Sequence, residues 1–209
     1  MKNFHKNIII LASGNGSNAI NIINNFSSAN SSVSKISIKA LVCNNPDAPI
    51  IDKVKNMYAD INLYCLPFKK AAERTLFEKG LTEIINKYKI DYIILAGFMK
   101  ILSNDFVLKN LNKIINIHPS LLPAFKGTQA IKDAFDYGVK VTGVTIHFVI
   151  PEIDSGPIIL QEPVIIEEDD TIETLEEKIH KLEHKMYIKV LELISCEKLR
   201  IADNKVKIF

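Results

Sequence analysis

The chain has 209 residues, 47% of them apolar and 24% charged, with a formal net charge of +2. That balance is ordinary for a globular protein with a full core. It speaks against a nucleic-acid partner, which would call for a basic tract. It also speaks against a membrane protein, because no apolar run nears the roughly 20 residues of a bilayer span. Cys43, Cys65 and Cys196 are far apart, odd in number and without metal-ligand spacing. The expectation is reduced thiols, no metal and a cytoplasmic chain. The apolar run after Lys6-Asn7 matches a signal segment in length only, since a glycine-rich loop follows it.

Ile8 to Ala12 is a continuous β-branched run, the pattern of a strand buried on both faces. Ser13-Gly14-Asn15-Gly16-Ser17-Asn18 forms a turn, and Ile20, Ile23 and Phe26 then recur at helical spacing. Strand, glycine loop and helix together can cradle a phosphate, because glycines admit close approach and the helix start offers free N–H groups. The same stretch also reads as a tight turn with Ser17 or Asn18 as N-cap. It is not the dinucleotide fingerprint and lacks a P-loop lysine.

Residues 27–34 form a polar, Ser/Asn-rich connection, expected to be flexible. Ile36 to Cys43 reads as a strand, Asn44 to Met57 as a turn and helix, and Asn62 to Leu66 as a short strand. Glu73 to Lys87 is amphipathic, with Leu76, Phe77, Leu81, Ile84 and Ile85 as its apolar stripe. Asp91 to Ala96 is a further strand, ended by Gly97. This alternation predicts parallel crossovers and ligands at the carboxyl ends of the strands.

Ile114 to His118 is the next strand, stopped by Pro119. Asn116 and His118 are two apart, so they share one face while Ile115 and Ile117 take the other. The pair is either a site or a set of locally satisfied polar groups. Thr128 to Tyr137 predicts a helix closed by Gly138. Val141 to Val149 and Ile158 to Val164 predict strands that pair antiparallel across the loop carrying Asp154, itself readable as a turn residue. Asp170, as N-cap with Glu173 completing a capping box, opens a long helix with a core stripe of Leu175, Ile179, Leu182, Met186, Val190 and Leu193. Ile201 to Phe209 reads as a hairpin turning at Asp203-Asn204. The fold class is α/β: a doubly wound, mostly parallel, Rossmann-like sheet with antiparallel strands late in the chain, flanked by helices.

Asn116, His118 and Asp154 remain as the chemistry-bearing set. An amide can donate to a developing oxyanion, and an imidazole with a carboxylate can act as a general acid. Such a set suits acyl or formyl transfer through a tetrahedral intermediate. His147 competes for the histidine role, although its place within a strand favours a satisfied structural group.

Four stretches carry a family resemblance: Ala12 to Asn18, Leu95 to Leu102, Asn116-Ile-His-Pro-Ser-Leu-Leu-Pro123 and Glu152-Ile-Asp-Ser-Gly-Pro157. In that order they resemble the phosphoribosylglycinamide formyltransferases, folate-dependent enzymes of purine biosynthesis. The resemblance implies one formyltransferase domain over 1–209, with a phosphoribosyl-substrate half and a folate and catalytic half meeting near residue 100. It implies that Asn116, His118 and Asp154 are catalytic and that Gly16, Ser17 and Asn18 hold the substrate phosphate. Arg74, Met99, Lys100, Ile101, Leu102, Asn116, Ile150, Pro151, Glu152, Ile153 and Asp154 would line the folate site, and Glu183 would contact the glycinamide side.

The implied co-substrate is 10-formyltetrahydrofolate, the acceptor phosphoribosylglycinamide, and the assembly a monomer or homodimer without metal. His180 stands where the family often has Lys or Gln, Lys100 where Arg is common, and Lys126 where Pro is common. The nearest alternative is a formyltetrahydrofolate deformylase, whose members usually carry an extra N-terminal domain. Methionyl-tRNA formyltransferases share the motif but add a C-terminal RNA-binding domain. A non-catalytic nucleotide- or folate-binding module is the alternative from another class.

Overall fold

The computed structural model describes residues 5–26 and 35–209. The connection at 27–34, expected to be flexible, lies outside the described residues. The chain forms two compact units, Met1–Ile114 and Ile115–Phe209.

The first unit runs β1 (Lys6–Ala12), α1 (Ser17–Phe26), β2 (Ile36–Cys43), α2 (Pro49–Met57), β3 (Asn62–Cys65), α3 (Arg74–Tyr88), β4 (Tyr92–Leu95) and α4 (Asn104–Lys109). Its strands lie in the order β3-β2-β1-β4, every pair parallel. A helix separates successive strands, which supplies the long crossover that parallel pairing needs. Ile8 to Ala12 are fully buried, as the unbroken apolar run requires. The chain leaves β1 toward β2 and returns to its other side as β4, so the winding reverses there. Such a reversal opens a crevice at the carboxyl ends of the two strands.

Two details of this unit differ from the sequence reading. Leu76 is 73% exposed, while Phe77, Leu81, Ile84 and Ile85 are buried. Those four recur at i, i+4, i+7 and i+8, and Leu76 lies about 100° from Phe77, off that row. Helix α4 is additional: six residues are too few for a periodic signal, but Ser103 caps it, its hydroxyl accepting from Phe106 N at 3.1 Å.

The second unit runs β5 (Ile114–His118), α5 (Ala130–Tyr137), β6 (Val141–Phe148), β7 (Ile158–Ile165), α6 (Ile172–Ser195), β8 (Leu199–Ala202) and β9 (Lys205–Ile208). Strands β5, β6 and β7 lie in that order and pair antiparallel. Helix α5 ends at Gly138, whose φ of 79° is the left-handed conformation that closes a helix. The β8–β9 hairpin turns at Asp203 and Asn204, both with positive φ, as a two-residue turn of this hand demands.

Helix α6 is capped one residue later than expected. Thr171 is the N-cap and forms a reciprocal box with Thr174, not Asp170 with Glu173. The Asp170 carboxylate instead accepts from Glu167 N, Thr174 Oγ1 and Lys178 Nζ. The Lys178 bond leads these contacts in lowering its pKa to about 2. Leu182 and Leu193 are half-buried at the edge of the core row. Tyr187, Leu191 and Ile194 are buried instead. Among the described residues, no helix is long and apolar enough to cross a membrane.

Candidate active site

In the second unit, antiparallel pairing sets Asn116 of β5 opposite His147 of β6, and His118 opposite Thr145. His147 is buried, and its Nδ1 lies 2.9 Å from Phe148 O. A proton on Nδ1 serves that carbonyl and leaves Nε2 as an acceptor. Nε2 faces Asn116 Nδ2 at 3.4 Å. Burial pushes the His147 imidazole below its ordinary pKa, against the smaller upward pulls of Phe148 O and Asp154. His147 is thus a satisfied structural histidine, as its strand position suggests. It also accepts one N–H of Asn116, which leaves the amide's other N–H for a different acceptor.

His118 is buried, and its Nε2 lies 2.8 Å from Phe125 O. Its Nδ1 lies 3.6 Å from Asp154 Oδ2, and Asp154 Oδ1 lies 3.8 Å from His147 Nε2. One carboxylate therefore faces both imidazoles. Asp154 does sit in a turn, but its carboxylate reaches beyond it: Oδ2 accepts from the distant Gly127 N at 3.0 Å. Its φ of 49° lies in the left-handed region, which Asp and Asn tolerate best among residues with a Cβ.

Close packing holds the 150–157 loop at its base. A Cβ on Gly156 would fall 1.8 Å from Phe148 O, so only glycine fits. Phe148 N donates to Pro157 O at 2.9 Å. Lys126 Nζ reaches Ser155 Oγ at 2.5 Å and Glu152 Oε1 at 3.6 Å, tying this loop to the one after His118. Ile150 is half-buried, whereas Pro151, Glu152 and Ile153 are exposed. Thr145 anchors the loop after His118 from beneath. Its hydroxyl donates to Ser120 O at 2.7 Å and accepts from Leu122 N at 3.1 Å and Gln161 Nε2 at 2.9 Å.

Glu183 is buried on α6, and its Oε2 lies 3.0 Å from His180 Nδ1. That hydrogen bond raises the His180 pKa, outweighing partial burial. One turn on, burial raises the pKa of fully buried Tyr187, while a backbone hydrogen bond from Ile117 acts in the opposite direction. Tyr187 so grips β5 between Asn116 and His118.

In the first unit, Ser13 N donates to Gly97 O at 3.1 Å, and Met99 N donates to Ser13 Oγ at 2.8 Å. The glycine loop after β1 and the turn after β4 therefore meet where the winding reverses. Gly16 has a φ of 73°, and a Cβ there would fall 2.3 Å from Ile50 Cδ1. Its carbonyl accepts from Ile20 N at 2.9 Å. The helix thus starts on Gly16, and Ser17 and Asn18 lie inside its first turn rather than capping it. Lys53 supplies the ammonium that the loop sequence lacks, with Nζ 3.0 Å from Asn15 O. No local motif marks Lys53, because it arrives from α2.

Arg74 opens α3 and is half-buried. Met99 is 67% and Ile101 63% exposed, a large apolar surface for solvent to cover, whereas Leu102 is buried. Lys100 is turned inward on its own unit, with Nζ 3.0 Å from Lys69 O and 5.6 Å over the Phe68 ring.

A family profile described as formyl transferase matches residues 6–191. The phosphoribosylglycinamide formyltransferase of Bacillus subtilis (strain 168) is 40% identical over 187 residues, 90% of this chain and 93% of that one. The crystal structure of phosphoribosylglycinamide formyltransferase from Anaplasma phagocytophilum aligns with a TM-score of 0.87 and 35% identity, covering 98% of this chain and 94% of that one. A formyltetrahydrofolate deformylase from Pseudomonas syringae pv. tomato aligns with a TM-score of 0.88 but 25% identity, over 98% of this chain and 66% of that one. The backbone is shared by both activities, so the higher sequence identity and fuller coverage decide between them. This chain belongs to the formyl transferase family, and within it to the phosphoribosylglycinamide formyltransferases.

Proposed function

We propose that the chain transfers the formyl group of 10-formyltetrahydrofolate to the amine of phosphoribosylglycinamide, yielding the N-formyl product and tetrahydrofolate in purine biosynthesis. The observation that supports this mechanism best is the cluster of Asn116, His118, His147 and Asp154, two imidazoles on one carboxylate with the amide on the second imidazole. The amine attacks the formyl carbon, and the carbonyl oxygen becomes an oxyanion. The Asn116 N–H left over by His147 donates to it. His118 Nδ1 stands beyond direct hydrogen-bond range of Asp154 and can turn to the same oxyanion. Asp154 orients the ring. With water, it passes the proton lost by the amine to the departing folate nitrogen.

In this reading Gly16, Ser17 and Asn18 bind the ribonucleotide phosphate with N–H groups at a helix start, and Lys53 adds positive charge. Glu183 takes the glycinamide amine. Arg74, residues 99–102, Asn116 and residues 150–154 bind the folate, and the catalytic set is Asn116, His118 and Asp154. The enzyme works as a monomer or homodimer in the cytoplasm, the compartment that suits its three free thiols.

The test incubates the purified protein with 10-formyltetrahydrofolate, with and without phosphoribosylglycinamide. Tetrahydrofolate formation that requires the amine is the expected result. Formate release without the amine makes the chain a hydrolase, the activity named for its Pseudomonas structural relative. Binding without any reaction overturns catalysis altogether.

A further inference from the structure

Three consecutive residues, Phe125, Lys126 and Gly127, each reach a different part of the catalytic cluster. Phe125 O accepts from His118 Nε2 at 2.8 Å, Lys126 Nζ donates to Ser155 Oγ at 2.5 Å, and Gly127 N donates to Asp154 Oδ2 at 3.0 Å. Such convergence needs an unusual backbone: φ is 50° at Phe125 and 97° at Gly127. A bulky residue in the left-handed region is costly, and it persists only where surrounding contacts over-determine it. Those contacts are present here. The Phe125 ring lies edge-on to Tyr137 with centroids 6.1 Å apart, and just upstream Ser120 Oγ donates to Ala124 O at 2.5 Å. The segment after His118 is therefore a fixed arm against which the 150–157 loop rests.

We propose that Lys126 is a positioning residue for the formyl transfer, acting through Asp154. The inference rests on the catalytic set proposed above and adds a residue that holds it in place. Lys126 differs from its two neighbours in using its side chain. Its ammonium donates to Ser155 Oγ and lies 3.6 Å from Glu152 Oε1. A hydroxyl that accepts from Lys126 still has its own hydrogen to give, and Ser155 Oγ lies 2.9 Å from both Glu152 Oε1 and Ile153 O. Ammonium, hydroxyl and carboxylate thus form one chain across the tip of the loop. Glu152 and Ser155 bracket Asp154 in sequence, so one cation holds the backbone on both sides of the catalytic carboxylate. Without it, Asp154 keeps Gly127 N, but the flanking residues come loose. Oδ2, now 3.6 Å from His118 Nδ1, then samples positions from which it orients that ring less well.

The experiment measures kcat at saturating 10-formyltetrahydrofolate and phosphoribosylglycinamide. Lys126→Met should lower it about five- to thirty-fold, part of the roughly hundred-fold that a misplacement of about 1 Å costs. The urea midpoint should not move, because exposed ion pairs add little to stability. Lys126→Arg keeps a cation with N–H donors and should stay within about three-fold of wild type. In an Asp154→Asn background the same Lys126→Met change should cost less than about two-fold, since the group it positions is already gone. The ratio of wild-type to Lys126→Met kcat should shrink as ionic strength rises. Lys132→Met, which removes an exposed ion pair with Asp136 on α5, should leave kcat unchanged. A Lys126→Met protein as fast as wild type overturns the inference, as does an undiminished loss in the Asp154→Asn background. A urea midpoint that falls together with kcat, an arginine variant as slow as the methionine one, or an equal loss in Lys132→Met overturns it as well. Absence of transfer in the wild-type protein defeats the transferase reading itself.

Discussion

Replacing Asp154 with Asn tests the catalytic assignment most directly, because it removes a charge and little else. The side chain is 11% exposed, with Oδ2 3.6 Å from His118 Nδ1 and Oδ1 3.8 Å from His147 Nε2. If His118 carries a proton in the transition state, the carboxylate at 3.6 Å interacts with it by about 4.6 kcal/mol at an effective dielectric near 20. Losing most of that predicts a drop in kcat on the order of a thousand-fold, within the 10²–10⁴ range of positioned acid–base groups. Folding should hardly change. Asn tolerates the left-handed backbone at this position, and its Oδ1 can still accept from Gly127 N. Stability should fall by less than about 1 kcal/mol. The assay pairs turnover with urea denaturation on the same preparation. A variant with wild-type stability and kcat within about three-fold of wild type would refute the role given to Asp154. A stability loss above about 2 kcal/mol would instead show that its carboxylate serves the loop.

Three further outcomes follow from the packing around the cluster. Thr145→Val keeps the shape but removes the hydroxyl from Ser120 O, Leu122 N and one N–H of Gln161, whose Nε2 keeps Leu122 O at 2.9 Å, so thermal denaturation should show a loss of about 2–4 kcal/mol. Gly156→Ala drives a Cβ into the Phe148 carbonyl, and should cost about 2–4 kcal/mol and lower kcat by displacing Asp154. For His147, burial lowers the folded-state pKa, so the unfolded chain takes up the proton first. Its contribution is full above its unfolded pKa of about 6.5 and is lost as pH falls toward the folded value. His147→Gln should therefore reduce the fall in Tm between pH 7.5 and pH 5.5. His184 is shifted in the same direction and His180 in the opposite one, so the comparison is with wild type at each pH.

Much of the fold was legible in the chain itself because it rests on local chemistry. The apolar run Ile8 to Ala12, the stop at Pro119, the closure at Gly138 and the turn at Asp203-Asn204 each follow from backbone preference or periodicity. The face shared by Asn116 and His118 follows from the two-residue repeat of a strand. Helix α4 escaped because six residues do not complete a periodic pattern, and the start of α6 moved because Asp170 found better partners in Glu167 N and Lys178.

What tertiary structure alone decided is which distant groups meet. Spacing read His147 as structural; antiparallel register placed it opposite Asn116, where it orients the amide. Lys53 reaches the glycine loop only because α2 folds back over it. Asp154 reads locally as a turn residue, and its carboxylate faces two imidazoles because the loop after β6, which leaves opposite Ile115 near the start of β5, turns back to reach His118. Hydrophobic periodicity encodes which face of an element is buried. The partner across that face is set by long-range pairing, which no local pattern records.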